Sequence, residues 1–239
     1  MFRKLSCCLL WVCLGLGLAA GAWTWIEWRR LPDPAVYKKA NPSTTAYIEL
    51  DKAKAITEGR KPHIEWQWVP YARIAVPMKQ AVIVSEDLNF FSHRGFDLGE
   101  IRASLRDAWE EREMPRGAST LTQQLARNLW LSPDRAWGRK LREALLTVRL
   151  ERALSKPRIL ELYLNCVEFG PGCYGAEAAA RRYFKKSAAD LTDREAAQLA
   201  AGLPSPGRWH PGSSSVGYQR RVDRLLARME KAAWVLKKL

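Results

Sequence analysis

Apolar positions along this chain fall into three regimes. Residues 5–26 form a run of 22 residues without a charge, flanked by Arg3 and Lys4 before it and by Glu27, Arg29 and Arg30 after it. As a helix, that run is long enough to span a bilayer. Residues 27–77 are rich in Pro and Trp and only weakly periodic, which reads as a juxtamembrane linker. Helical spacing governs residues 78–202. Leu121, Leu125 and Leu129 recur at i, i+4 and i+8, and Trp137, Leu141, Ala144, Leu145 and Val148 make another stripe. Thr192 and Glu195 form a capping box that opens a helix over 193–201, and Gly202, Pro204 and Pro206 stop it. Strong strand alternation and internal repeats are both missing from the pattern. The expected class is mainly α, in three parts: 1–26 as tail and transmembrane anchor, 27–77 as linker, and 78–239 as the folded domain.

The flanks of the first regime add an orientation. Trp23, Trp25 and Trp28 cluster at its far end, where indoles prefer the membrane interface, and Arg3 with Lys4 favours a cytoplasmic amino terminus. Ala20-Gly21-Ala22 also fits a signal-peptidase site, so a cleaved signal is the rival reading. Either way the body of the protein is expected outside the cytoplasm. Cys166 and Cys173 are the two cysteines of that body. In an oxidising compartment they either bridge across Gly170-Pro171-Gly172 or stay as separate buried thiols. His63, His93 and His210 are scattered, without metal-ligand spacing, so no structural metal site is expected.

Composition changes the picture through charge. Thirty-nine Lys and Arg face 25 Asp and Glu, for a net charge of +14. A polyanionic partner follows: nucleic acid, anionic lipid or a phosphorylated substrate. Export argues against nucleic acid. The excess is local, because residues 114–158 hold ten basic and three acidic residues, about half of the net charge.

Three polar islands carry candidate chemistry. Glu86 follows the apolar stretch 81–84 and begins Glu-Asp-Leu-Asn-Phe-Phe-Ser-His-Arg-Gly. If the segment is helical, Glu86, Asn89, Phe90 and His93 share one face. A carboxylate withdrawn from water is a better proton acceptor, which makes Glu86 a candidate base. An ordinary helix first turn would also favour Glu86 and Asp87. The second island, residues 117–128, sets Ser119, Thr120, Gln123, Gln124, Arg127 and Asn128 beside the leucine stripe. Such hydroxyls and amides suit sugar, amide or phosphate oxygens, or else Ser119 or Thr120 merely caps a helix. In the third, Arg135, Arg139 and Arg142 recur at i, i+4 and i+7 with Lys140 beside them and Glu143 among them. The stripe fits a diphosphate, and Glu143 is placed to orient the cations rather than to carry a proton. A simple Arg139–Glu143 helix pair is the plainer alternative.

These islands, with two further motifs, resemble glycosyltransferase family 51, the peptidoglycan glycosyltransferases. The segments are Glu-Asp-x-x-Phe-x-x-His-x-Gly at 86–95, Gly-x-Ser-Thr-x-Thr-Gln-Gln at 117–124, Arg-Lys-x-x-Glu at 139–143, Lys-x-x-Ile-Leu-Glu-x-Tyr-Leu-Asn at 156–165, and Arg-x-x-x-Leu-Leu-x-x-Met at 221–229. With one anchor and no transpeptidase segment after Leu239, the chain resembles the monofunctional members. The resemblance implies a lysozyme-like, two-lobed, mainly helical domain behind the anchor, single-pass in the inner membrane with its catalytic part on the periplasmic side. The implied partners are lipid II, the growing lipid-linked glycan, the membrane and cell-wall synthases.

The implied reaction polymerises lipid II into β-1,4-linked glycan with inversion at the donor MurNAc, releasing undecaprenyl diphosphate. Glu86 would take the proton of the acceptor 4-hydroxyl, and Glu143 would be the second catalytic carboxylate. Asp87, Phe90, His93, Ser119, Thr120, Gln123, Gln124, Arg127, Asn128, Arg135, Arg139, Lys140 and Arg142 would bind substrate. Glu161, Tyr163 and Asn165 would shape the cleft. A divalent cation, Mg2+ or Mn2+, would assist at the diphosphate, with no tightly bound cofactor. Arg127 stands where family members often carry Lys. The alternatives from other classes are a lysozyme-like glycan-cleaving enzyme and a catalytically silent membrane scaffold.

Overall fold

The computed structural model describes the backbone of residues 2–112, 119–132 and 137–239, and their side chains apart from 2–10, 12, 13 and 137. Helices dominate: α1 (Phe2–Arg30), α2 (Ala46–Thr57), α3 (Val76–Glu86), α4 (Leu98–Glu111), α5 (Leu121–Trp130), α6 (Trp137–Ala153), α7 (Lys156–Cys166), α8 (Ala176–Phe184), α9 (Asp193–Gly202) and α10 (Val216–Lys231). One small sheet accompanies them, ordered β1 (Glu65–Trp66), β3 (Cys173–Tyr174), β2 (Glu168–Gly170), with β3 parallel to β1 and antiparallel to β2. The mainly α expectation stands.

The core explains the arrangement. Met78 through Val84 is buried without a break, Lys79 and Gln80 included, so α3 is covered on all sides and lies between neighbours. It packs on α9 and α10, while α5 packs on α6 and α7. Leu121, Leu125 and Leu129 of α5 face this core as their spacing predicts. The capping box at Thr192 and Glu195 forms, and α9 begins at Asp193.

Two expectations differ from what is observed. Residues 27–77 do not hang as a linker between anchor and domain. Ile48, Ala55, Val69 and Ile74 are buried in the folded unit. Asn165, wholly buried on α7, holds the segment by accepting from the Val69 amide at 2.9 Å and donating to the Val69 carbonyl at 2.9 Å. Its own carbonyl accepts the Trp66 indole N–H at 2.6 Å. Paired backbone groups bind this stretch together with apolar side chains that follow no regular stripe, so periodicity does not reveal it.

The second difference concerns α6. Its buried positions are Glu143, Leu146, Thr147 and Leu150, whereas Leu141, Ala144, Leu145 and Val148 are only half-buried. At 100° per residue the expected stripe lies opposite the face that packs. The end of α1 and the residue after it meet α6: Arg142 grips Glu27 with Nε–Oε2 at 2.7 Å, and Arg149 donates to the Leu31 carbonyl at 2.7 Å. Among the described residues no helix is long and apolar enough to cross a membrane.

Cys166 and Cys173 are free thiols, both buried, and burial pushes each up to about 12. Glu168 of β2 is the unusual acid of this region. Burial first, and then the nearby Asp51 carboxylate, push it up to about 7 from 4.5. The folded state therefore keeps a proton that the unfolded chain releases. Stability contributed by this site is present below about pH 4.5 and lost as pH rises toward 7. Glu168→Gln is expected to flatten the wild-type fall in melting temperature across that window. Parallel melting profiles for the two proteins would refute it.

Candidate active site

Glu86 is the last residue of α3, and the chain turns there instead of continuing as a helix. Asp87, extended at φ −162° and ψ 74°, breaks the helix. Its buried carboxylate is spent within the protein: Oδ2 accepts the Leu121 amide at 2.9 Å and Oδ1 meets His93 Nε2 at 2.9 Å. His93 Nδ1 accepts from the Gly95 amide at 3.1 Å, so its Nε2–H is the donor to Asp87. Gly95 sits at φ +90°, where a Cβ would come within 2.6 Å of the Thr147 methyl. Asn89 turns to Asp97 at 2.8 Å. The shared helical face expected for Glu86, Asn89, Phe90 and His93 is therefore replaced by a pinned loop. Phe90 is 0% exposed and packs in the core, with the Lys156 ammonium 4.3 Å from its ring centre, so it does not face a substrate.

That loop docks on the start of α5. Thr120 caps α5 in a complete capping box with Gln123, and its hydroxyl donates to the Gly95 carbonyl at 2.7 Å. Thr120 and Gln123 are both buried and serve this joint, so the capping alternative holds for Thr120. Gln124, one position on, points elsewhere. Its Nε2 donates to Glu86 Oε2 at 3.0 Å, and its Oε1 accepts the Tyr163 hydroxyl at 2.9 Å. Tyr163 is fully buried, and burial, with Glu86 next, raises its hydroxyl well above the ordinary range. It stays a donor and fixes which end of Gln124 faces Glu86.

Glu86 itself is half-buried rather than enclosed, because it ends α3 at the wall of a cavity of about 200 Å³. Asp87, Asp97, Ser119, Thr120 and Arg228 share that wall. Glu86 Oε1 accepts the Ser85 hydroxyl at 2.9 Å. Each oxygen thus holds one neutral donor and retains acceptor capacity toward the cavity. Among the described residues no cation pairs with it.

Glu143 is the opposite case. Fully buried, it accepts from Arg139 Nη1 at 2.8 Å through Oε2 and from Lys140 Nζ through Oε1. Both oxygens are engaged by cations, which suits an organiser of charge and not a proton carrier. Arg142 does not join this cluster, since Glu27 holds it on the side of α1. Arg135 lies outside the described residues. Arg127, on α5, has a buried Nε with no hydrogen-bond partner among the described residues, and its charge acts on Tyr163 near Glu86. Asn128 is buried on the same helix.

The sequence reading missed one group. Arg228 of α10 donates to the Val84 carbonyl and lines the Glu86 cavity, three residues before the end of its helix. The clue was available, since Arg221, Arg224 and Arg228 recur at i, i+3 and i+7. For a resident metal the donors are unsuited: the oxygens of Asp87 and Glu143 are occupied, and no three His, Cys, Asp or Glu among the described residues stand together as ligands.

The site thus joins a cavity lined by Glu86, Asp87, Asp97 and Glu100, in which Glu86 is held by neutral donors, with a second carboxylate, Glu143, locked among cations. Comparison with known proteins narrows the class. Residues 53–230 match the Transglycosylase family model. The chain is 45% identical over 185 residues to the biosynthetic peptidoglycan transglycosylase of Thiobacillus denitrificans, covering 76% of this chain and 78% of that one. It is 41% identical over 229 residues to the protein of the same name from Azoarcus sp., covering 94% and 96%. With the Neisseria gonorrhoeae protein of that name it shares 40% over 196 residues, 82% and 84% of the two chains. The chain belongs to the transglycosylase family.

Proposed function

We propose that this peptidoglycan glycosyltransferase polymerises lipid II at the Glu86 cavity. The family match supports glycan polymerisation, and the observation that supports this site is the chemistry of Glu86. Its two oxygens are oriented by Ser85 and Gln124, unpaired with any described cation, and turned to a cavity. In the step proposed, Glu86 accepts the proton of the acceptor GlcNAc 4-hydroxyl while that oxygen bonds to the anomeric carbon of the donor MurNAc. The bond from that carbon to the diphosphate oxygen breaks, and undecaprenyl diphosphate leaves with the electron pair. Attack opposite the leaving group inverts α to β.

Negative charge develops on the leaving diphosphate, and Arg139 and Lys140, fixed by Glu143, with Arg127, are the groups assigned to stabilise it. A divalent cation is proposed only as the companion of the substrate's diphosphate, whose oxygens would supply its ligands. Residues 5–26 are proposed as the membrane anchor, on the strength of 22 uncharged residues that end with Trp23 and Trp25 and have Trp28 just beyond, tryptophans suited to a membrane interface. The two-lobed domain would then stand at the periplasmic face, with cell-wall synthases as candidate partners.

The test uses the purified full chain, lipid II, detergent and Mg2+ or Mn2+. High-molecular-weight glycan should appear by gel electrophoresis, with undecaprenyl diphosphate as co-product. Cleavage of preformed glycan without polymer would support the hydrolase instead, and absence of both would support the silent scaffold.

A further inference from the structure

Behind Glu86 lies a second cavity, of about 260 Å³, lined by Ser85, Arg221, Arg224, Leu225 and Arg228. The three arginines stand at i, i+3 and i+7 of α10 and so share one helix face. Among the described residues no carboxylate lines the cavity. Asp223, the acid adjoining Arg224 in sequence, is drawn off to Arg194 at 3.4 Å. Arg221 packs over the Trp209 ring, and its Nε is buried with no hydrogen-bond partner among the described residues. Arg228 spends one Nη2–H on the Val84 carbonyl, and Arg224 is exposed. Three like charges around an acid-free hollow repel one another, and an oxyanion bound between them would supply both the missing charge and the missing acceptors.

Ser85 and Arg228 line this cavity and the Glu86 cavity alike, and the Ser85 hydroxyl donates to Glu86. Whatever fills the arginine pocket therefore lies on the side of the base. Arg139 and Lys140 of α6 line neither cavity.

We propose that Arg221, Arg224 and Arg228 bind an oxyanion carried by the acceptor substrate, a carboxylate or a diphosphate, and thereby hold its attacking hydroxyl at Glu86. This rests on the functional reading above, in which Glu86 meets the acceptor. The three arginines are positioning residues, separate from the cations assigned to the departing diphosphate.

The test needs separate donor and acceptor. The donor is lipid II methylated at its GlcNAc 4-hydroxyl, so that it cannot accept. One acceptor is the disaccharide pentapeptide as its methyl glycoside, which keeps the peptide carboxylates and lacks the diphosphate, and the other is the peptide-free disaccharide with its lactyl carboxyl capped as the methylamide, joined to its lipid diphosphate by a non-transferable phosphonate linkage. Arg224→Gln in the full chain should raise the acceptor KM about tenfold or more for the acceptor bearing the recognised anion. The donor KM and kcat should stay close to wild type, and Arg224→Lys should recover most of the loss. The acceptor that shows the defect identifies the anion, and a defect with both assigns the pocket to either oxyanion. Unchanged acceptor KM with both acceptors, or a donor KM that rises in step, would overturn the proposal. Arg228→Gln provides an independent second variant. A wild-type enzyme that joins neither acceptor to the donor while making no polymer from lipid II would sink the functional reading instead.

Discussion

Glu86→Gln should lose about 10²- to 10⁴-fold in polymerisation rate, the usual worth of a positioned general base. The substitution keeps shape and hydrogen bonding. A Gln carbonyl at the Oε2 position can still accept Gln124 Nε2, and its amide can donate to the Ser85 hydroxyl oxygen, which is an acceptor as well as a donor. Gln124 cannot flip to spoil the arrangement, because its Oε1 is held by a buried Tyr163 hydroxyl that is kept protonated. With Glu86 only half-buried, the cost in stability should be about 0.5 kcal/mol or less. Loss of activity without loss of fold is therefore the signature, read by glycan gels and thermal melting on the same preparation. A variant polymerising at the wild-type rate would remove Glu86 from the role of base.

Why Glu86 and not Asp87 is proposed for this role was only half legible in the sequence. Both carboxylates sit together after an apolar helix, and periodicity ranks them equally. What separates them is tertiary: Asp87 is committed to the Leu121 amide and to His93, contacts reaching across 34 and 6 positions. Those bonds join the loop to α5, which is what aims Gln124 at Glu86. The same logic splits the second island. Thr120 and Gln123 have the spacing of a capping box and form one, while Gln124, its neighbour in the motif, reaches the base. Spacing located the island, and burial divided it between scaffold and site.

The fold was legible where hydrophobic pattern and packing agree, as at Leu121, Leu125 and Leu129 and at the capped start of α9. It was misread where polar groups make the contact. The segment 27–77 is held by Asn165, whose amide satisfies Val69 on both backbone groups. On α6, rules of pattern assign Leu141 and Leu145 to the core and Glu143 to solvent, yet the observed order is reversed. A buried carboxylate is costly unless it is paired and hydrogen-bonded. Glu143 meets that condition through residues three and four positions before it, a local pairing that ordinarily marks an exposed helix face.

That reversal sets the second large effect. Glu143→Gln should destabilise the protein by about 3 kcal/mol, near the lower end for breaking a buried ion pair. The lower end applies because the partners left behind are not sealed in: Lys140 is 51% exposed and can turn to water, and Arg139 is 18% exposed. For a domain of this size the melting temperature would fall by about 6–12 °C. Polymerisation should fail even well below that lowered midpoint, since the amide cannot hold two cations and Arg139 and Lys140 lose the geometry proposed to meet the leaving diphosphate. The two consequences are separable. If Glu143 only supported the fold, activity at low temperature would survive while the melting point dropped. As an organiser of charge it must fail with kcat reduced in fully folded protein, and Lys140→Gln, which leaves Glu143 paired with Arg139, should lower kcat with a much smaller thermal shift. Full low-temperature activity in Glu143→Gln would assign the buried cluster to stability alone.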